Sequence, residues 1–362
     1  MRLFITGAGA VTSQGMGTDA LVAALDGEGV AFAQESPREG TTVSVGRVGR
    51  VKSEEASAAY RRWGQLDTYS RYGFLAAMQA LESAGLAFGD AVLADFGVML
   101  GTSYGCMEEN QKFDRFDIKD GKVHGASPLV FKGTVDNAPA GWIAVAGRIK
   151  GPNATFVSGD GAALEALWSA EGVLRSGRAR GLLVGGVERF VDLHLLLRRP
   201  EPSRQGSPLS EGAGVLTVET EAGLVRRGRS PIDALVELVG TARRRGDLVD
   251  ALLAAIERLG ADPADIGLVS LALPFLDERA AAAYDALPGA EVVADKAALG
   301  EFHGAWGGIA VGAALARLER SGWNGRSLAL VHAFGEGDEH FFVLLKRPEP
   351  NPGGGDELPE DA

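Results

Sequence analysis

The sequence predicts an α/β protein folded as an internally duplicated, layered sandwich, and three observations carry that prediction. The stretch Gly151 to Glu188 reads as strand, tight turn, helix and second strand, and its helix has no polar face. The second half of the chain carries another such helix, Ile309 to Arg320, again following a short strand. A helix that is apolar nearly all round must be covered by protein, so two of them imply that both lie between two sheets. Finally, 362 residues of which 46% are hydrophobic suffice for a core of that size.

Taken in order, Arg2 to Thr6 is a strand and Gly7-Ala8-Gly9 turns it toward a helix at Thr18 to Leu25. The glycines imitate a dinucleotide-binding fingerprint, but Thr12 stands at the third glycine position and no strand ending in an acid lies about 20 residues on. Residues 27–58, with a β-like patch at Thr41 to Val51, read as a surface excursion. Phe74, Leu75, Met78 and Leu81 recur at helical spacing in Tyr72 to Ala84. Phe96 to Thr102 is a buried strand, and the charged segment Glu108 to Lys122 faces solvent as helix or loop. Asn137 to Gly141 opens a helix that ends near Gly147.

The central unit then runs as strand (Ala154 to Ser158), helix (Gly161 to Arg175) and strand (181–186). Val191 to Glu201 is a mixed connection, Ser210 to Glu219 holds a strand pair's worth of small and β-branched residues, and 232–242 is a further strand. The same grammar returns in the second half: helix Leu248 to Leu259, strand Ile266 to Leu273, helix Glu278 to Ala286, strand Glu291 to Ala294, the apolar helix, then a hairpin of Ser327 to Phe334 and His340 to Lys346. Arg347 to Ala362 is rich in Pro, Gly and acid and reads as a disordered tail.

With 36 basic against 48 acidic residues the net charge is −12, which disfavours nucleic acid and anionic membranes as partners of the surface as a whole. The single cysteine, Cys106, excludes an intramolecular disulfide and offers no metal cluster; with the absence of a signal peptide or an apolar span this points to the cytoplasm. No cofactor motif and no metal-ligand spacing stands out. A strand that turns abruptly into a buried helix is a place for a nucleophile, because orphan N–H groups and the helix dipole stabilise negative charge there. Asp160 occupies that turn, and the expectation from the residues alone is that it caps the helix. Cys106 reads as a small buried residue, having no His or Lys close in sequence to lower its pKa.

Several stretches recur in a familiar order: ITGAGAVTSQG, LDTYSRYGFLAAMQALESAGL, GTSYG followed by MEEN, SPLVF followed by NAPAG, GPN, GLLVGGVE, SEGAGVL, Lys296 with Gly300 and GAWGG, and AFGEG. In these the chain resembles the β-ketoacyl synthases of the thiolase fold, from Arg2 to Lys346. The resemblance implies a thiolase-like five-layered αβαβα sandwich, with duplicated halves at roughly 1–230 and 231–346, that dimerises through the strand before the nucleophile. It also exposes departures. The family's nucleophilic cysteine corresponds to Asp160, its two histidines to Val269 and Glu301, and of the expected constellation only Lys296 remains, while Phe334 and its glycines keep the last loop. His303 lies two residues beyond the matching position, and a register shift that rescued it would break the glycine matches around it. Between Val239 and Leu248 the chain is shorter than the family.

The resemblance therefore implies a catalytically silent subunit similar to a chain-length factor, working beside an active ketosynthase in iterative polyketide or fatty acid synthesis, aryl polyenes included. Met107, Val130 and Phe131, with Val135 nearby, stand where the family places residues that gate the acyl tunnel. The implied partners are the active ketosynthase in a heterodimer and, through the pair, an acyl carrier protein. Two alternatives stay open: a homodimeric enzyme using Asp160 or Cys106 in acyl transfer, and an acyl- or carrier-protein-binding module outside any synthase.

Overall fold

The computed structural model describes the chain except residues 39–40, 50, 116, 120–121, 125–126, 198–206, 276 and 349–362. All but Arg347 and Pro348 of the expected tail therefore lies outside the described residues.

The first strand, β1 (Leu3–Thr12), is buried along its whole length. Gly7-Ala8-Gly9, expected as a turn, lies inside it. The cause is α1 (Thr68–Ser83), which crosses the strand so closely that a Cβ on Gly7 would collide with the Ala80 carbonyl and one on Gly9 with that of Ala76. Glycine is present here for close approach, and a bulge between Ile5 and Gly7 adjusts the register. Asp67 starts α1 by accepting from the Ser70 N–H at 2.7 Å.

Besides the two-residue strand Gly15–Met16, which pairs with β1 off the main path, the remaining described strands of the main sheet are β2 (Phe96–Thr102), β3 (Asn153–Val157), β4 (Gly181–Glu188), β5 (Gly212–Thr220), β6 (Val236–Arg245), β7 (Ile266–Ser270), β8 (Glu291–Val293), β9 (Leu328–Phe334) and β10 (Glu339–Lys346). In space they run β8-β7-β9-β10-β6-β1-β5-β4-β2-β3. Read outward from the middle, β1-β5-β4-β2-β3 repeats as β6-β10-β9-β7-β8, with antiparallel and parallel pairs in the same places. The duplication is thus visible in the hydrogen bonding. The expected two sheets are joined into one path by a three-residue antiparallel ladder, Leu3 to Ile5 against Val236 to Leu238.

The helices that bear on the layers and the site include α2 (Met107–Phe113), α3 (Ala162–Arg175), α4 (Leu248–Leu259), α5 (Glu278–Ala286) and α6 (Trp306–Ser321). Three hydrophobic clusters define the layers. The central one packs α3 and α6 against inward-facing residues of both half-sheets, such as Leu182, Leu216, Leu268 and Val343. A second packs α1 and the helix Ala138–Gly147 on the outside of the first half-sheet, and a third packs α4 and α5 on the outside of the second. This is the αβαβα order. Every residue of α6 from Trp306 to Ala316 is buried, as a helix enclosed by two sheets requires. Among the described residues no helix is long and apolar enough to cross a membrane.

The stretch expected to hold a strand pair is mostly one strand, β5, from Gly212, preceded by the two-residue strand Leu209–Ser210, which belongs to a separate small sheet. The charged stretch after Cys106 forms α2 and a small hairpin, Asp117–Lys119 with Lys122–His124.

Candidate functional site

β3 ends at Val157, and Gly159 at φ +71° bends the chain into a single 3-10 turn, Gly159–Gly161, from which α3 rises. Gly161 has no room for a side chain, since a Cβ there would lie 2.8 Å from the Phe334 carbonyl oxygen. Between these glycines Asp160 points inward and is buried. It does not cap α3 as expected: the cap position belongs to Gly161, with no side-chain cap bond. The extra 3-10 turn moves Asp160 one residue too early, and its Oδ1 lies 3.0 Å from Nδ1 of His303 instead.

His303 arrives from the loop between the short helix Lys296–Leu299 and α6. Gly300, at φ +97°, admits a sharp bend where any side chain would strike Ser210. His303 itself adopts φ +45°, a left-handed conformation costly for a residue with a Cβ, and this lets it turn back beside Glu301. Glu301 is fully buried; its Oε2 pairs with the Lys296 Nζ at 2.6 Å and its Oε1 accepts the His303 N–H at 3.0 Å. The Lys296 ammonium also lies 5.1 Å from the centroid of the Trp306 ring.

A residue missed in the sequence anchors the surroundings. Glu188 closes β4 and is fully buried. It accepts from the N–H groups of Ser103 (2.8 Å), Tyr104 (3.1 Å) and Gly304 (3.1 Å), tying the loop after β2 to the loop before α6. Burial pushes its carboxyl up to about 7, against the opposing effects of His303 and these amides. For His303, burial disfavours the charge, yet the Asp160 hydrogen bond and the charges of Asp160, Glu301 and Glu188 outweigh it and hold the imidazole above its ordinary range. Tyr104 covers this group, its ring 5.0 Å from His303 edge to face and stacked at 4.0 Å on His194.

Asp160, Glu301 and His303 offer donor atoms that all lie within 4.8 Å of one another, a set a divalent cation could use. Lys296 already supplies positive charge at that place. Within one buried volume two carboxylates thus face an ammonium and an imidazole, as the pairs Glu301–Lys296 and Asp160–His303.

The scan against protein families matches the description "Beta-ketoacyl synthase, N-terminal domain" over residues 2–222, more than half of the 362-residue chain. The chain belongs to the β-ketoacyl synthase family. It is 25% identical over 174 residues to 3-oxoacyl-[acyl-carrier-protein] synthase 2 of Vibrio cholerae, a match spanning 43% of this chain and 42% of that relative, so it covers less than half the relative's length. Among solved structures it is similar to the ishigamide ketosynthase/chain length factor, with a TM-score of 0.75 at 23% identity over 96% of this chain and 99% of that one. It is also similar to a ketosynthase in complex with its chain length factor from Xenorhabdus doucetiae, with a TM-score of 0.73 at 16% identity over 95% and 98%. These likenesses establish the thiolase-like fold.

Of the positions singled out in the sequence, the structure brings Asp160, Lys296 and Glu301 together and adds His303, which the register argument had set aside. It does not bring Val269 to them. Val269 faces the outer helices α4 and α5, while its neighbours Leu268 and Ala272 face the central cluster. An alternating strand cannot send Val269 to the same side as those two. Phe334 keeps its place against Gly161.

Met107 opens α2 and is half-buried. Val130 and Phe131 lie on the short helix Pro128–Phe131, none of whose residues is buried; Phe131 is 61% exposed and packs on Phe113, and Val135 is 47% exposed. Phe131 and Val135 thus stand on an outer face of the single chain. Cys106 sits apart, its thiol 3.2 Å from Asp136 Oδ1, and burial followed by that carboxylate pushes its pKa up to about 12. It is a protonated thiol. Two signals in the sequence could have exposed the missed residues: Glu188 as an acid ending an apolar strand, and Tyr104 as a large ring between the glycines of GTSYG.

Proposed function

We propose that this chain is a non-catalytic, ketosynthase-like subunit of the chain-length-factor kind, which pairs with an active β-ketoacyl synthase in iterative polyketide or fatty acid synthesis, aryl polyenes included. The observation that carries the reading is the Asp160–His303 contact at the helix turn where the family resemblance expects a thiol. A condensing enzyme needs a group there that attacks a thioester and later leaves. A carboxylate would give a mixed anhydride, and here it is already engaged by an imidazole. The Lys296–Glu301 pair beside it satisfies the remaining charges internally.

Pairing is supported by the edge of the sheet. Among the described residues β3 pairs with β2 alone and forms the edge of the sheet, with Val157 55% exposed. The adjoining helix Ala138–Gly147 shows Val145 to solvent, and Leu129, Phe131 and Val135 extend the exposed apolar side chains. An edge strand with apolar surroundings takes an added strand. In the proposed pair that strand comes from the active subunit, and Phe131 and Val135 contribute to the end of its acyl tunnel. The acyl carrier protein is served by the pair.

The test is co-expression with a ketosynthase that retains the cysteine and both histidines and is encoded beside this chain. The two proteins should co-purify, condensation of malonyl- and acyl-carrier thioesters should need both, and intact mass spectrometry should find the acyl group on the partner alone. A stable acyl adduct on this chain by itself would overturn the proposal.

A further inference from the structure

Outside that group two histidines form a hydrogen-bond chain that admits one arrangement of protons. His332 on β9 and His340 on β10 are both buried. The Ala272 N–H points at His332 Nδ1 (3.3 Å), His332 Nε2 lies 3.0 Å from His340 Nδ1, and His340 Nε2 lies 3.0 Å from the Gly246 carbonyl oxygen. The ends fix the middle, because an amide N–H can only donate and a carbonyl can only accept. His332 Nδ1 must therefore accept, its Nε2–H must donate to His340, and His340 Nε2–H must donate to Gly246. Both rings are neutral, one tautomer each. Phe334 and Phe342 enclose His332, with ring centroids at 4.7 and 5.0 Å.

The surroundings bias where an extra proton would go. His332 feels Lys296 from the segment before α6 and Arg279 from α5, as well as His340 itself, and burial with these charges holds its pKa well below the ordinary value. His340 is also lowered by burial, but the Gly246 carbonyl, Asp247 and Asp338 oppose the shift. Arg244 of β6 stands opposite His340 in register and spends its guanidinium on the carbonyls of Arg243 and Ala254. The turn at Gly246 is exposed, so the outer ring is the one within reach of solvent.

We propose that this chain of rings is an acid-sensitive relay coupling the Gly246 turn to the backbone at Ala272. A proton taken up by His340 occupies its Nδ1, and Nδ1–H then faces the Nε2–H of His332. His332 escapes the clash by releasing its Nε2 proton to solvent water and taking one from it on Nδ1 when the segment opens transiently, staying neutral, so that the only net gain is the proton on His340. Its Nδ1–H now faces the Ala272 N–H, two donors at one place, and a buried amide loses its acceptor. The buried segment Leu271 to Pro274, which follows β7, has to shift. One proton taken up at His340 is read out at an amide on the far side of two rings.

The test combines hydrogen exchange with nitrogen-15 NMR of the histidine side chains on the full chain. After correction for intrinsic rates, protection of the Ala272 amide should fall at least about tenfold between pH 7.5 and 5.5, since each unit by which the pH drops while still above the governing pKa multiplies the protonated form about tenfold. In His340→Gln, which does not titrate, protection should stay flat. An equal fall in both proteins, or none in either, would overturn the relay. Should the variant not fold, the wild-type spectra decide: His332 must carry its proton on Nε2 at pH 7.5 and on Nδ1 once His340 is protonated. A His332 that keeps Nε2–H throughout, or that protonates before His340, refutes the proposal.

Discussion

Asp160→Ala separates a helix cap from a buried ion pair, because the two predict different costs and different pH dependence. Loss of a cap costs about 0.5–2 kcal/mol. Removing one partner of a buried pair costs about 3–5 kcal/mol, since the other is left uncompensated. His303, only 5% exposed, loses the 3.0 Å contact that favours its charged form, so the larger cost is expected. The sign follows from His303 having its pKa raised on folding. The stabilisation is fully present below the unfolded value of about 6.5 and is lost as pH rises through the folded value. In the variant burial remains the chief effect and opposes protonation. The gap between wild type and Asp160→Ala should thus be widest near pH 6 and narrow toward pH 9, where a neutral imidazole still hydrogen-bonds the carboxylate at about 1.5–3 kcal/mol. Urea unfolding followed by tryptophan fluorescence at pH 6, 7.5 and 9 measures it, at one protein concentration because self-association would add its own stability. A gap below about 1 kcal/mol at every pH would refute the pair and restore the cap.

Three further outcomes are expected. Asp160→Cys should yield no condensing activity by itself, because Lys296 and Glu301 remain paired where the family places a histidine; product detected by mass spectrometry from that single change would contradict the reading. Cys106, with its pKa pushed up to about 12, should react with iodoacetamide at pH 8 far more slowly than free cysteine, since only about one thiol in ten thousand is ionised; a rate near that of free cysteine would show the Asp136 contact is absent. In the reconstituted pair, Met107→Ala or Phe131→Ala should lengthen the product by one or more two-carbon units while the partner keeps its turnover, the removed side-chain volume being left open to the chain. An unchanged length distribution from both variants, with the heterodimer intact, would make this subunit a scaffold that does not set length.

The fold was legible wherever periodicity and enclosure say the same thing. The helix Ile309 to Arg320 has no face for water, and α6 lies between the half-sheets with Ile309 and Leu315 buried. Gly7 and Gly9 misled because glycine serves turns and close packing alike, and only the path of α1 shows which. The site was harder. Asp160, Lys296 and Glu301 were found through the resemblance, but His303 was not assigned to them, since sequence register says nothing of a left-handed φ that turns the ring back toward Asp160. Val269 was misplaced by matching motifs across a strand whose alternation decides the facing side. Glu188 acts through three backbone amides, partners that leave no trace in side-chain spacing.

Why the centre of this fold should hold two carboxylates, a lysine and a histidine has a geometric answer. Replacing a buried ion pair with apolar residues is often neutral or stabilising, so the charges are not explained by stability alone. The backbone on either side is fixed by glycines with no room for substitution: Gly161 against Phe334, Gly300 against Ser210 and Gly304 against Thr102. Whatever stands at 160, 301 and 303 is therefore directed inward, into a volume shared with Lys296. Within that frame a carboxylate at 160 requires a donor, and His303 supplies it; an ammonium at 296 requires an acceptor, and Glu301 supplies it. Each charge is answered by a neighbour, and Glu188 locks the two loops that carry Tyr104 and Gly304 over them. For a subunit proposed to shape a partner's tunnel this is an advantage, because a group with every charge satisfied has no reason to rearrange when an acyl chain presses on the adjoining surface.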